Sequence, residues 1–202
     1  MLQYGPTRGY PPLVEAIAAV MSRRGAPTTP ERVLVTTGSQ QGLDLVARVL
    51  VDPHDVILVE LPTHTGAISA FRNVLADMVG VRQEADGIDL AELDDTYLRL
   101  AREGRRARLL YLVPNFQNPT GRRIGSSKRL ALLDWAERGD GLLVEDDPYR
   151  DLYFADSATE ADVRPIRADD RSGRVVYLSS FSKTLAPGYR VAWIDAPPAV
   201  AA

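Results

Sequence analysis

Apolar residues in this chain follow two rhythms in alternation. Short continuous runs of strand length are separated by longer stretches with helical spacing. The runs at Val33–Thr37, Val56–Glu60, Leu109–Val113, Leu142–Val144, Val175–Leu178 and Val191–Ile194, with a weaker one at Asp77–Arg82, predict seven strands. Pro11 and Pro12 open a helix carrying Leu13, Ile17, Val20 and Met21, and Gly25 is placed to end it. Leu43, Leu45, Val46, Val49 and Leu50 form the stripe of a second helix, and residues 65–76 read as a third. Leu90–Arg102 reads as an amphipathic helix, and Ser126 is placed to cap a helix through Leu130, Leu133 and Trp135. Residues 155–173 are polar and read as a surface excursion. Buried strands separated by helices belong to a mostly parallel sheet covered on both faces. The expected fold class is therefore α/β, a three-layer αβα sandwich on a seven-stranded sheet. Ligands of such sheets sit beyond the carboxyl ends of the strands.

Composition narrows the function more than the fold. The 202 residues are 45% hydrophobic and 25% charged, enough for one domain with a sizeable core. Acids exceed Lys plus Arg by 27 to 24, which argues against a nucleic-acid partner gripped by a basic face. Cysteine is absent, so disulfides, thiolate zinc sites and cysteine nucleophiles are excluded. Two histidines, His54 and His64, argue against a histidine-rich metal site. No apolar run approaches the roughly 18 residues of a membrane helix, and the first residues lack the charged and apolar regions of a signal peptide. The cytoplasm is the expected compartment.

Four segments place unusual polar residues just after strands. Thr37-Gly38-Ser39-Gln40-Gln41-Gly42 lies at a strand-to-helix turn, where free N–H groups and the helix dipole suit a phosphate; an ordinary helix start is the plainer alternative. Pro114-Asn115-Phe116-Gln117-Asn118-Pro119-Thr120-Gly121 puts polar amides after the strongest strand, although Asn-Pro and Thr-Gly are also turn formers. In Glu145-Asp146-Asp147-Pro148-Tyr149, three successive acids follow an apolar strand, and at least one needs a cation. Glu145 and Asp147 read as solvated loop charges. Ser179 to Arg190 carries Lys183 between a buried strand and a glycine turn, where an amine can form a Schiff base or simply be solvated.

In this order the segments resemble a known family. Asn118-Pro119-Thr120-Gly121, Asp146-Asp147-Pro148-Tyr149 and Ser180-Phe181-Ser182-Lys183 with Arg190 are similar to the signatures of the class I/II aminotransferases, pyridoxal-phosphate enzymes of fold type I. Leu2-Gln3-Tyr4-Gly5-Pro6-Thr7 and Gly9-Tyr10 resemble the family's upstream motif. Pro114–Pro119 and Glu145–Arg150 resemble its 2-aminoadipate and aromatic branch most. The resemblance implies that Lys183 holds pyridoxal 5'-phosphate as a Schiff base and later carries the substrate's α-proton. It implies that Asp146 pairs with the pyridinium nitrogen, while Asn118 and Tyr149 hydrogen-bond the ring's phenolic oxygen. Ser39, Gln40, Ser180, Ser182 and Arg190 would hold the phosphate. Tyr4 resembles the tyrosine that reaches the phosphate of a neighbouring subunit, which implies a homodimer. The Asn118–Pro119 bond is a candidate for the cis form.

The pattern departs from the family in places. His64 stands where an aromatic residue usually stacks on the cofactor ring; an imidazole stacks with less area and a titratable charge, or serves as a satisfied loop histidine. Arg8 stands where an acid is frequent. Family members run to about twice this length, so residues 1–202 are expected to be the cofactor-binding large domain without an N-terminal segment and a C-terminal small domain. Asp195–Ala202 holds no basic residue to clamp a substrate carboxylate. The expected function is amino-group transfer from an amino acid to a 2-oxo acid. The alternatives are a lyase, racemase or decarboxylase on the same core, a sensor domain like that of pyridoxal-phosphate-dependent transcription regulators, or an inactive fragment.

Overall fold

A computed structural model describes residues 3–201, so Leu2 of the upstream motif lies outside the described residues. Its strands are β1 (Val33–Thr36), β2 (Val56–Leu61), β3 (Asp77–Glu84), β4 (Gly87–Ile88), β5 (Ala107–Leu112), β6 (Leu142–Asp146), β7 (Val175–Ser180) and β8 (Ala192–Asp195). They form one eight-stranded sheet in the order β1-β8-β7-β6-β5-β2-β3-β4. The sequence pattern predicts one strand fewer, because β4 is only two residues long and pairs antiparallel with the end of β3. No hydrophobic period can show in so short a run. β7, β6, β5, β2 and β3 pair in parallel, and β8 runs antiparallel between β7 and β1. The chain thus brings the carboxyl ends of β1, β2, β5, β6 and β7 to one edge of the sheet.

The helices are α1 (Pro11–Arg23), α2 (Ser39–Leu50), α3 (Thr65–Asn73), α4 (Leu90–Arg102), α5 (Ser126–Arg138) and a short α6 (Pro198–Ala201). Strand alternation sorts them into two layers. Ile57, Val59, Leu109 and Tyr111 pack with Leu43 and Val46 of α2 and Phe71 of α3. Their neighbours Val56, Leu58, Leu110 and Leu112 pack on the other face against Leu93 and Leu100 of α4 and Leu132 and Trp135 of α5. Ile17 and Met21 of α1 complete that second face over Val33, Tyr177 and Trp193. Two local expectations change. Ser126 is the first helical residue of α5 rather than its cap, and Gly125 at the cap position makes no side-chain bond. The segment 155–173 is not wholly superficial: Val163, Ile166 and Arg167 are buried. Among the described residues no helix is long and apolar enough to cross a membrane.

Candidate cofactor site

Asp146 ends β6 with its side chain almost fully buried. Its Oδ2 accepts a hydrogen bond of 2.8 Å from the Tyr111 hydroxyl. Among the described residues its Oδ1, also buried, has no partner. Burial pushes the carboxyl up to about 6, the Tyr111 bond pulls it down, and the charge of Asp147 adds to the rise. Tyr111 is fully buried too, with its ring edge-on to Phe71 of α3 at 5.7 Å.

The other two acids are not solvated, contrary to the sequence expectation; both are fully buried. Glu145 accepts from the backbone N–H groups of Ile166 and Arg167, each at 2.8 Å. Burial pushes its carboxyl up to about 8, and the neighbouring Asp147 charge pushes the same way. Asp147 accepts from Asn115 Nδ2 at 2.9 Å and from the Tyr177 hydroxyl at 3.1 Å. Two arginines supply the required positive charge. Arg24 donates to the Tyr177 hydroxyl at 2.8 Å, and Arg129 donates to Asn115 Oδ1 at 2.8 Å. Alternation along the strand end separates Glu145 and Asp147 from Asp146, so these two face the arginines of α5 and of the α1 C-terminus.

The rim of the site is more open. Asn118 Nδ2 lies 3.5 Å from the Tyr149 hydroxyl, and Asn118–Pro119 is cis, as is Leu61–Pro62. Lys183 is exposed, with Nζ 5.7 Å from the Tyr149 ring centroid. His64 is the residue before α3, and burial, then the Lys183 charge, lower its imidazole pKa. Among the described residues its Nδ1 and the Thr63 Oγ1 are buried without partners. At the start of α2, Gly38 has φ +86, and the Arg190 guanidinium occupies the space a Cβ there would need. Arg190 itself sits in the left-handed region, φ +54, after a tight turn over Pro187–Tyr189. Ser39 begins α2, and Gln40 Nε2 donates to the Gly66 carbonyl at 3.0 Å, tying that helix start to the His64 arm. Ser180 is buried at the end of β7, and its Oγ accepts from Ser182 N at 2.8 Å.

Nearly all the residues proposed from sequence therefore gather at adjoining strand ends. Tyr4 does not join them; it is fully exposed. Arg8 stands apart as well, donating to the carbonyls of Glu31 and Ala201 at 2.6 and 2.7 Å. Sequence reasoning passed over Tyr111 and Glu60. Both carry a signal: each is the one hydrogen-bonding side chain in an otherwise aliphatic run, Val56–Leu61 and Leu109–Val113, and such a group needs a partner once buried.

Comparison with known proteins agrees with this geometry. The model of the family "Aminotransferase class I and II" matches residues 1–202. An aromatic-amino-acid aminotransferase of Thermococcus litoralis is 40% identical over 98% of this chain, which covers 46% of that protein. The structure of a kynurenine aminotransferase of Pyrococcus horikoshii, in complex with PMP, superposes with a TM-score of 0.92 at 36% identity, covering 99% of this chain and 48% of that one. An α-aminoadipate aminotransferase of Thermus thermophilus, complexed with N-(5'-phosphopyridoxyl)-L-leucine, superposes with a TM-score of 0.85 at 40% identity, covering 98% of this chain and 48% of that one. The chain spans a little under half the length of the curated relatives it matches. With its motifs gathered at the strand ends and the family model matched from end to end, the chain belongs to the class I and II aminotransferases.

Proposed function

We propose that residues 1–202 are the pyridoxal-phosphate-binding large domain of a cytoplasmic, homodimeric aminotransferase that moves an amino group from an amino acid to a 2-oxo acid. The observation that carries the cofactor reading is the buried Asp146 carboxyl, whose Oδ2 is held by Tyr111 while Oδ1 has no partner among the described residues. A buried acceptor left open is costly unless a donor completes it, and a protonated pyridine nitrogen is such a donor. The other residues fit the remaining parts of the cofactor. The first N–H groups of α2 at Ser39 and Gln40, the hydroxyls of Ser180 and Ser182 and the planar charge of Arg190 suit a phosphate. Asn118 and Tyr149 would hold the ring oxygen, and His64 would lie against the ring face.

When bound, pyridoxal phosphate supplies an electron sink for the charge left by removal of the substrate's α-proton. Lys183 would hold the cofactor covalently at Nζ and, once released, take the α-proton and deliver it to the cofactor's aldehyde carbon. Asp146, as a carboxylate, would keep the ring nitrogen protonated. Tyr4 would reach the phosphate site of a second copy, which accounts for an exposed tyrosine near the start of the chain. The kinship with aromatic and aminoadipate enzymes makes long or aromatic amino acids the substrates to try first.

The test is chemical trapping. The chain is mixed with pyridoxal phosphate, reduced with borohydride and mapped by peptide mass. Cofactor mass on the Lys183 peptide is the expected result, and it should vanish in Lys183→Ala. A folded chain that traps as much cofactor in Lys183→Ala overturns the assignment. Conversion of 2-aminoadipate or an aromatic amino acid to its 2-oxo acid, one per site, tests the aminotransfer step. A holo chain that converts none of them would keep the cofactor role and remove the catalytic one.

A further inference from the structure

Glu60, on β2, has no place in the chemistry described above, yet it is fully buried. None of the salt bridges among the described residues reaches it. Its partners are neutral donors: Val113 N at 2.9 Å to Oε2 and Gln83 Nε2 at 2.8 Å to Oε1. From there the bonds continue. Thr120 Oγ1 lies 3.0 Å from Gln83 Oε1 and 2.8 Å from Gln117 Oε1, so its single proton serves one of them at a time. Thr120 N secures Gln117 Oε1 independently at 2.9 Å. Gln117 Nε2 then donates to the Pro62 carbonyl at 2.8 Å, which returns the path to the segment just beyond Glu60.

We propose that Glu60 is a positioning residue whose buried carboxylate closes this circuit and so holds the His64 arm against the Asn118 arm. His64 follows Pro62 by two residues, and Asn118 lies between Gln117 and Thr120. The circuit therefore ties the chain just before His64 to the chain on both sides of Asn118. Its effect on the cofactor rests on the assignment of these two side chains to the cofactor ring; the coupling of the two arms does not. Ionised, as it is above about pH 7, the group suits the position because the Val113 and Gln83 donors converge on it, the Gln117 side chain adds to them, and it brings no proton of its own. An amide can replace it only if the Gln83 amide reverses. Val113 N then still finds an oxygen, the new NH2 group donates to Gln83 Oε1, and Gln83 Nε2 donates to Thr120 Oγ1, whose proton goes to Gln117.

Three variants and two readouts test the circuit. Gln83→Leu cuts its middle without substituting a residue of either arm, Glu60→Ala removes its base, and Glu60→Gln preserves it. The first readout is the His64 imidazole signals in NMR spectra of the cofactor-free chain. His54 is 78% exposed on its side chain and serves as the internal control. Gln83→Leu and Glu60→Ala are expected to move the His64 signals and leave those of His54; Glu60→Gln is expected to leave both. The second readout is affinity for pyridoxal phosphate, expected to fall about fivefold to tenfold in Gln83→Leu, the scale of one lost hydrogen bond. In Glu60→Gln it should stay within about twofold of the original. Unmoved His64 signals in folded Gln83→Leu would overturn the proposal, as would Glu60→Gln behaving like Glu60→Ala. If Glu60→Ala does not fold, Gln83→Leu decides alone, because Gln83 is only half-buried. Failure of the original chain to bind pyridoxal phosphate sinks the cofactor reading and leaves the NMR comparison to judge the circuit.

Discussion

At the floor of the site, Glu60, Glu145, Asp146 and Asp147 are sealed at strand ends, whereas Gln40, Lys183 and Arg190 stand exposed at its rim. The floor finds its partners inside the chain: Val113, Gln83, Tyr111, Asn115, Tyr177 and the N–H groups of Ile166 and Arg167. The rim residues make few such bonds. Arg190 NH1 donates to the Pro187 carbonyl at 3.3 Å. Buried polar groups must be satisfied by the fold or they cost free energy. Exposed ones lose little by waiting for a ligand. Substitutions should therefore act on stability at the floor and on binding at the rim.

The largest expected effect is at Asp147. Its carboxylate offsets the charges of Arg24 and Arg129 and accepts from Asn115 and Tyr177. Removing it leaves Arg129 short of compensation while Arg24 keeps the Asp151 carboxylate at 2.6 Å, and a broken buried charge network costs about 3–5 kcal/mol. Asp147→Ala is expected to lose that much in urea unfolding, or to leave the chain unfolded. A loss below about 1 kcal/mol would show that the arginines reach solvent and that the floor is less closed than drawn.

The same contrast explains what could be read from the sequence. The strands were legible because continuous apolar runs have few other fates, and β4 was not, because two residues carry no period. The rim was legible through short local motifs around Asn118, Lys183 and Arg190, each of which supplies its own turn chemistry. On residue type alone, Lys183 would have passed for a solvated charge; its neighbours in order gave it meaning. The burial of Glu145 and Asp147 was not legible. Their partners come from Arg24, Asn115, Arg129, Ile166, Arg167 and Tyr177, segments far apart in sequence that only the sheet order brings together. Three consecutive acids beside a turn look the same whether solvated or sealed.

At the rim, Arg190→Ala should reverse the pattern expected at the floor. Its guanidinium packs over Gly38 at the start of α2 but is mostly exposed. Stability is expected to stay within about 0.5 kcal/mol, as for surface substitutions. Affinity for pyridoxal phosphate should weaken by about 1.5–3 kcal/mol, the range of a hydrogen bond to a charged group. Titration of the two chains with the cofactor checks this. Equal affinities would remove Arg190 from the phosphate site and leave α2 and the serines to hold it.

The smallest effect concerns pH, and it separates Glu60 from the rest of the floor. Burial pushes the Glu60 carboxyl up to about 7, against an unfolded value near 4.3. For an acid raised in this way, the folded chain binds the proton more tightly than the unfolded one. Stability therefore falls as pH rises from the unfolded value and levels off above about 7. Between pH 6 and 7 the Glu60 share is on the order of 1 kcal/mol. Glu145, raised to about 8 by burial and the Asp147 charge, adds to the fall with the same sign. Glu60→Gln has no proton to lose there, so its unfolding free energy should decline less over that interval while the Glu145 share remains. Parallel declines in the two chains would mean that Glu60 is already ionised at pH 6. The neutral ring of Val113, Gln83 and Gln117 would then be stabilising its charge more than burial opposes it.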